Sequence, residues 1–232
     1  MSAFIPSPLL AAAHRTSFRG SPRNTLPRRS HHPHHRPAST STSMRAPRSP
    51  SPSALPKLVV FDLDGTLWDP EMYELWGGGS PFTEHPSGDV VDRAGTLVRL
   101  LGNSRALLRE LHTAEEFWGV KVAISSRTDE PTWAQECMRK IEIGNRETGP
   151  LKMKEVFDAE EIAKDRKVNH FERLRQKSGV KYEEMIFYDN EGGNISAVKT
   201  LGVHCWYCPR GMTKEIWEQS LDSFAASKKS RK

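Results

Sequence analysis

Acidic residues are absent from the start of this chain. The 232-residue sequence has no Asp or Glu before Asp62, whereas its first 56 residues contain eight arginines and no lysine. The remaining 26 Lys and Arg residues are matched against all 29 Asp and Glu residues, so this part of the chain has a net charge of −3. The overall charge of +5 therefore comes from the amino-terminal segment and does not indicate a nucleic-acid-binding domain.

Long apolar runs and a disulfide framework are also missing. No stretch approaches the roughly 20 apolar residues of a membrane span, so we expect no membrane association. The three cysteines, Cys137, Cys205 and Cys208, are too few for a disulfide-stabilised scaffold. Cys205 and Cys208 have zinc-knuckle spacing, but no second pair or His partner lies at a matching distance. We therefore expect buried or half-buried free thiols.

The segment before residue 55 is rich in Ser, Pro, Arg and His. An acid-free composition of this kind is typical of an organelle transit peptide, and the abundance of Ser and Pro favours the chloroplast over the mitochondrion. An ordinary disordered tail is the alternative interpretation. We predict a targeting segment over residues 1–54 and a folded domain over residues 55–228.

Within the folded part, short apolar runs alternate with amphipathic stretches. The pattern predicts helices at about 103–116, 129–142, 168–178, 192–200 and 213–225, and strands at 57–61, 120–124, 155–158, 184–188 and 203–207. Near-continuous apolar strands that alternate with helices indicate an α/β fold with a doubly wound, mainly parallel sheet.

Polar residues directly follow several predicted strands. Asp62 and Asp64 come after the first strand, Ser126 and Arg127 after the second, and Asp189 and Asn190 after the fourth. Ligands of open parallel sheets bind at the carboxyl ends of the strands, so we expect these side chains to meet at one edge.

The aspartate pair in LVVFDLDGTLWD suggests a metal site. Two carboxylates in one turn raise each other's proton affinity unless a cation lies between them, and oxygen ligands suit Mg²⁺. Asp62, at the end of a strand, is held rigidly enough to act as a nucleophile, and Asp64 is placed to transfer a proton. A simple strand cap followed by a turn is the structural alternative.

The stretch FDLDGT resembles the first signature motif of the haloacid dehalogenase (HAD) superfamily of phosphohydrolases. The resemblance extends over about residues 57–226. It is most specific for the eukaryotic magnesium-dependent phosphatase-1 subgroup, on the following segments: FDLDGTLW, ISSRTDEP, KVNHFERLRQKSGV, MIFYDNEGGNI and LGV. The family implies a Mg²⁺-dependent phosphatase that forms an aspartyl phosphate.

The resemblance also implies a role for each matching residue. Asp62 would attack phosphorus, and Asp64 would be the general acid and base and bind Mg²⁺ through its main-chain carbonyl. Ser126 would hydrogen-bond a phosphoryl oxygen with Arg127 beside it. Lys167, in DRKVNHFERL, would steady the nucleophile and the transferred charge. Lys152, Lys154 and Lys164 are nearby in the sequence and remain alternatives for the lysine.

One position departs from the family pattern. The subgroup usually has Asp-Asp at the fourth motif, whereas this chain has Asp189-Asn190. We expect this pair to hold the metal, although the sequence does not decide which member coordinates directly. A catalytically weakened binding domain and a phosphotransferase on the same fold are therefore the alternatives to a phosphatase.

The segment between the first strand and the helix near Asn103 is too short for a separate cap domain. It predicts a flap over the catalytic residues, with Gly77–Gly79 as a flexible hinge. Its aromatic residues either pack against the sheet or stack on a substrate: Trp68, Tyr73, Trp76 and Phe82. Without a large cap, the open site would accept a phosphorylated small molecule or a phosphoprotein. We expect a monomer, although no sequence feature fixes the oligomeric state.

Overall fold

A computed structural model describes residues 55–230. Within this range the strands are β1 (Leu58–Phe61), β2 (Trp68–Asp69), β3 (Thr83–Glu84), β4 (Val90–Val91), β5 (Leu97–Leu100), β6 (Lys121–Ser126), β7 (Ala159–Ile162), β8 (Met185–Asp189) and β9 (His204–Tyr207). The α-helices are α1 (Ser104–Thr113), α2 (Pro131–Lys140), α3 (Lys167–Ser178), α4 (Gly192–Lys199) and α5 (Lys214–Lys229). The predicted targeting segment, residues 1–54, lies outside the described residues.

The main sheet has five parallel strands in the order β7-β6-β1-β8-β9, with β1 at its centre. All four residues of β1 are buried because both faces of the sheet are covered. Val59 and Phe61 point into the core cluster that also contains residues of α1, α2 and α5. Leu58 and Val60 point into the cluster with residues of α3 and α4. The predicted doubly wound α/β fold is therefore confirmed.

The third predicted strand, residues 155–158, is wrong. Met153–Val156 forms a turn of 3-10 helix, in which the Lys152 N–H donates to Glu155 Oε1 at 2.8 Å. The edge strand β7 begins at Ala159, and its sequence AEEI is too polar to suggest a half-buried strand. Glu160 pairs with Lys154, and Glu161 pairs with Arg173. These basic partners from neighbouring elements offset the cost of placing two carboxylates in a half-buried strand.

The predicted flap is a small antiparallel sheet in the order β2-β5-β4-β3. No large cap domain interrupts the main fold within residues 55–230, as expected. Two of the flap aromatics pack inside, since Trp68 and Phe82 are buried. The other two face outward, with 55% of Tyr73 and 85% of Trp76 exposed.

The three flap glycines are explained by close packing and backbone conformation rather than by the predicted hinge. A Cβ atom on Gly78 would lie 1.7 Å from Asp92 Oδ2, and one on Gly79 would lie 2.3 Å from the Trp133 ring. Gly77 and Gly79 also have positive φ angles of 74° and 80°. The Gly79 N–H donates to Asp92 Oδ2 at 2.9 Å, which ties the loop down.

Helix α2 holds the flap from the other side. Glu136 of this helix accepts hydrogen bonds from the Ser80 hydroxyl at 2.6 Å and from the Phe82 N–H at 3.0 Å. Lys140, one turn later, pairs with Glu136 at 2.7 Å. The flap is thus fixed to the core domain at its base.

No helix among residues 55–230 is long and apolar enough to cross a membrane. The three thiols are free, as expected: Cys137 and Cys208 are buried and Cys205 is half-buried.

Candidate active site

A cleft of about 210 Å³ opens at the carboxyl end of the parallel sheet. Asp62 directly follows β1, while Ser126 and Asp189 are the last residues of β6 and β8. The residues that line the cleft come from these strand ends, the flap and neighbouring loops: Asp62, Asp64, Glu71, Tyr73, Ser126, Arg127, Thr128, Asp129, Lys164, Glu191 and Asn194. The strand topology therefore brings the first two predicted motifs to the same place.

Lys167 is buried beneath the cleft at the start of α3. Its Nζ lies 2.5 Å from Asp62 Oδ1 and 3.1 Å from Asp189 Oδ2, and it also donates to the main-chain carbonyl of Ser125. The three ion-paired side chains are almost inaccessible to solvent, with exposed fractions of 1%, 9% and 0% for Lys167, Asp62 and Asp189. The third and fourth predicted motifs therefore join the first at one buried ion cluster.

The alternative lysines lie elsewhere. Lys152 pairs with Glu84 and Glu142, and Lys154 with Glu160. Lys164 is on the rim of the cleft, where its largely exposed side chain lies 3.4 Å from Asp129. Of the four lysines considered from the sequence, Lys167 alone contacts Asp62.

When Asp62 and Asp189 are both ionised, the buried cluster has more negative than positive charge. Asp62 and Asp189 share one ammonium group, and Asp64 lies close enough to raise the pKa of Asp62. Burial raises the pKa of the Asp62 carboxyl well above its usual range, while Lys167 opposes this effect. A divalent cation would neutralise the excess charge, so the residues present fit a Mg²⁺ ion.

The oxygen donors available for such an ion are not all carboxylates. Among residues 55–230, no group of three or more His, Cys, Asp and Glu side chains is arranged to hold a metal. A site here must therefore combine the carboxylates of Asp62 and Asp189 with neutral oxygens. The family resemblance implies the main-chain carbonyl of Asp64 as one such donor, and the amide of Asn190 and water could supply others.

Asp64 lies at the cleft surface with its carboxylate held by the protein. The indole Nε1 of Trp68 donates to Asp64 Oδ1 at 2.6 Å, and the Met72 N–H and the Thr128 hydroxyl also interact with this carboxylate. Burial raises the pKa of Asp64 to about 6, although these hydrogen bonds lower it. A carboxyl group with this pKa can both donate and accept a proton near neutral pH.

Asn190 packs against the turn that follows Asp62. Its Oδ1 lies 3.2 Å from the Thr66 hydroxyl, and its N–H donates to Thr66 Oγ1 at 2.9 Å. Gly65, with a φ of 69°, allows this approach, since a Cβ there would lie 2.2 Å from Asn190 Nδ2. Thr66 thereby links Asn190 to the first motif, a contact that the sequence interpretation did not foresee.

Asn194 joins the fourth motif to the wall of the cleft. Its Nδ2 donates to both carboxylate oxygens of Asp189, at 3.2 and 3.1 Å, and to Glu191 at 2.9 Å. Its Oδ1 accepts from Arg127 at 3.3 Å. Asn194 therefore connects the buried ion cluster to the half-exposed Arg127 in the cleft wall. Asn194 follows Asp189 by five residues and lies on the first turn of α4, and this position was the one sequence signal that could have indicated the contact.

His170 lies behind the ion cluster. It is fully buried one turn after Lys167, and its Nδ1 is 3.1 Å from the Ser125 hydroxyl. Burial, together with the nearby Lys167, lowers the pKa of His170 to about 4. The imidazole is therefore neutral at physiological pH and packs as a structural residue behind the cluster.

The acid phosphatase family matches residues 54–227, three quarters of the chain. The chain belongs to this family. The predicted phosphoric monoester hydrolase is thereby confirmed.

Two curated relatives agree with this membership. Human magnesium-dependent phosphatase 1 is 37% identical over 174 residues, which cover 74% of this chain and 88% of the human protein. A HAD-like hydrolase superfamily protein of Schizosaccharomyces pombe is 32% identical over 154 residues, or 64% of this chain and 83% of that protein. These matches confirm the predicted superfamily and subgroup.

Solved structures of similar fold include a HAD family enzyme of Bacteroides thetaiotaomicron. It is 14% identical, with a TM-score of 0.49, and the match covers 71% of this phosphatase and 98% of that chain. A second structure is the N-terminal part of a Bacteroides fragilis protein, which contains a phosphatase domain and was solved as a Mg complex. It is 17% identical, with a TM-score of 0.48, and the match covers 73% of this chain and 40% of that chain.

Proposed function

We propose that this phosphatase hydrolyses phosphomonoesters through an aspartyl phosphate on Asp62, with Mg²⁺ as cofactor. The observation that supports this most directly is the buried cluster of Asp62, Lys167 and Asp189 beneath a cleft that also exposes Asp64. A nucleophile, a positive charge beside it and a proton-transfer group are thereby within reach of one bound phosphate.

In the first step an oxygen of the ionised Asp62 attacks phosphorus. The bond between phosphorus and the ester oxygen breaks, and its electron pair stays on the leaving oxygen. Protonated Asp64 gives its proton to that oxygen, so the product is a neutral alcohol. Lys167 keeps Asp62 oriented, while the Ser126 hydroxyl and the Arg127 guanidinium donate to phosphoryl oxygens that gain charge.

In the second step water attacks the aspartyl phosphate. Asp64, now ionised, accepts a proton from the water, and the bond between phosphorus and Asp62 breaks to release inorganic phosphate. Asp62 and Asp64 thereby return to their starting protonation states. Because both steps pass through one carboxyl group, a pKa of about 6 for Asp64 suits both directions of proton transfer near neutral pH.

Bound Mg²⁺ supplies positive potential to the phosphoryl oxygens and lowers the repulsion between substrate and Asp62. Asp62, Asp189 and the main-chain carbonyl of Asp64 would hold it. Asn190 contributes its amide oxygen or orients the turn through Thr66. A neutral amide in place of a second carboxylate weakens metal binding without removing it.

The substrate is a small phosphomonoester or a phosphorylated protein side chain. The cleft is small, and no large cap covers it within the described residues. Tyr73 of the flap lines this cleft and is half exposed, so it can contact the group that carries the phosphate. Both substrate types fit an open cleft of this size.

Turnover of p-nitrophenyl phosphate by the full chain tests this proposal. We expect activity that requires Mg²⁺ and is lost on Asp62→Asn, and we expect acid quenching during turnover to trap one phosphoryl group on Asp62. Activity that persists in EDTA, or that survives the substitution, would contradict the mechanism.

The location of the enzyme is a separate proposal that rests on composition. We propose that residues 1–54 direct the protein to the chloroplast, because the segment is free of acidic residues and rich in Arg, Ser and Pro. A fluorescent fusion of residues 1–56 tests it. Mitochondrial signal would support the alternative organelle, and a diffuse cytosolic signal would refute import.

A further inference from the structure

We propose that Trp68 is a positioning residue that fixes which oxygen of Asp64 transfers the proton. This inference rests on the proposed role of Asp64 as the general acid. It adds a residue to the catalytic arrangement that does not itself touch the substrate, and it predicts a specific dependence on the leaving group.

The contact between the two side chains is short and one-directional. Trp68 Nε1 donates to Asp64 Oδ1 at 2.6 Å. An indole N–H can only donate, so Oδ1 must accept and cannot hold a proton that points at Trp68. In the protonated form of Asp64 the contact therefore favours the proton on Oδ2, because a carbonyl oxygen accepts a hydrogen bond better than a hydroxyl oxygen does. The hydrogen bond also stops the carboxyl group from turning about its Cβ–Cγ bond.

The indole is in turn held in place by the fold. Trp68 is fully buried in the main core cluster, and β2 pairs with β5 at Trp68 and Leu100. Its main-chain carbonyl accepts from the Gly65 N–H at 2.9 Å, and its own N–H donates to the Leu63 carbonyl at 3.2 Å. Because the backbone and the ring are both fixed, the donor stays in one place while Asp64 gains and loses its proton.

Loss of this donor would leave the Asp64 carboxyl group held only by the Met72 N–H and the Thr128 hydroxyl, so that it could turn more freely. Either oxygen could then carry the proton, and the fraction of molecules with the proton aimed at the leaving oxygen would fall. A substrate with a poor leaving group needs that proton to break its ester bond, whereas p-nitrophenol leaves readily as an anion. The damage should therefore depend on the substrate.

Trp68→Phe removes the donor and keeps a buried aromatic ring. We expect kcat/KM for an alkyl phosphate, glycerol 2-phosphate, to fall about 10- to 50-fold, and kcat/KM for p-nitrophenyl phosphate to fall at most about threefold. The ratio kcat/KM is the appropriate readout because it includes departure of the leaving group and excludes hydrolysis of the aspartyl phosphate.

Two further proteins show whether the effect comes from the hydrogen bond. Trp217→Phe is the matched control, since Trp217 is also a buried tryptophan but lies on α5 and does not line the cleft; it should leave the ratio of the two kcat/KM values unchanged. Replacement of Trp68 by benzothienylalanine, which keeps the shape of indole and lacks the N–H, should reproduce the selective loss even if Trp68→Phe is poorly folded.

Asp64→Asn separates this inference from the proposed function. It should show the same selectivity as the Trp68 variants, with a larger loss. If Asp64→Asn is selective and the benzothienylalanine protein loses both activities equally or neither, the positioning role of Trp68 is overturned alone. If Asp64→Asn itself shows no selectivity between the substrates, the acid role of Asp64 fails and this inference fails with it.

Discussion

The two ends of the parallel sheet each have a cavity, and the larger one is not at the catalytic end. A cavity of about 600 Å³ lies at the amino end, beside the first residues of β1, β6 and β7. Its lysines are satisfied locally: Lys121 donates to the Ser178 carbonyl at 2.9 Å, and Lys177 pairs with Glu161 at 2.6 Å. The cleft at the carboxyl end measures only about 210 Å³.

The difference lies in charge rather than in volume. At the amino end each of these lysines has an acceptor within the protein, so neither depends on a ligand for a hydrogen-bond partner. At the carboxyl end Asp62 and Asp189 compete for a single buried lysine. Unbalanced buried charge costs free energy unless a ligand neutralises it. It therefore marks the functional end of the sheet better than the volume of the cavity does.

Replacement of the nucleophile should have the largest effect. Asp62→Asn keeps the size of the side chain and removes the attacking oxygen, so we expect kcat/KM for p-nitrophenyl phosphate to fall by at least about 10³-fold. At the amino end, Asp158→Asn should leave activity within about twofold. Comparable losses from both changes would break the contrast between the two ends.

Removal of the shared lysine should affect both activity and stability. Lys167→Met should lower kcat by about 10²-fold or more, because the charge beside the transferred phosphoryl group is lost. Without metal it should also destabilise the fold by roughly 3–5 kcal/mol, since two buried carboxylates lose their counter-ion. Urea unfolding in EDTA and in Mg²⁺ measures this, and Mg²⁺ should recover part of the loss.

Lys177→Met is the control on the same helix. Lys177 is half exposed and Glu161 keeps Arg173 as a partner, so the change should cost less than about 1 kcal/mol and leave turnover intact. An equal loss of stability from the two lysine variants would show that the burial of the Lys167 cluster has no special consequence.

Restoration of the second carboxylate should sharpen the metal dependence. Asn190→Asp adds a negative charge beside the turn of the first motif, so we expect the Mg²⁺ concentration for half-maximal activity to fall about three- to tenfold. A titration of activity against Mg²⁺ measures it. An unchanged response would place Asn190 outside the metal site and leave Asp189 as the contributor from the fourth motif.

The smallest effect concerns the pH dependence of stability. Burial lowers the pKa of His170 to about 4, below its ordinary value near 6.5, so the folded state disfavours the protonated ring. The contribution is fully present above pH 6.5 and is lost as the pH falls towards 4. We expect the difference in unfolding free energy between wild type and His170→Gln to shrink by about 2–3 kcal/mol over this range.

Urea unfolding of both proteins at pH 7.5 and pH 4.5 tests this expectation. Other titrating groups, including Asp62 and Asp64, are common to the two proteins and largely cancel in the difference. A constant difference across the pH range would show that folding does not lower the pKa of His170.

Sequence patterns predicted the parts of this enzyme that depend on strand ends. Asp62 and Asp189 follow from a buried strand that stops at a polar residue, and their convergence follows from the parallel sheet. Lys167 came instead from the resemblance to a family, because a lysine at the start of a helix has no distinctive local pattern. The structure supports its position through contacts that link three distant segments.

The contacts that were missed depend on side-chain direction. Nothing in the pattern shows that the Trp68 indole turns towards Asp64, or that Asn194 reaches both oxygens of Asp189. The third strand was misplaced because Glu160 and Glu161 make β7 look like a loop, whereas their basic partners come from other elements. Gly78 and Gly79 were interpreted as a hinge because the side chains that pack against them, Asp92 and Trp133, are distant in the sequence.

The close contact between Gly65 and Asn190 has a consequence for sequence variation. Any residue with a side chain at position 65 would collide with the amide as it is now placed, so position 190 would need another rotamer. A side chain at position 65 is therefore disfavoured both by the φ angle of 69° and by the Asn190 amide, although 125 residues separate the two positions. Engineering of the metal site in this phosphatase should accordingly treat them as one pair.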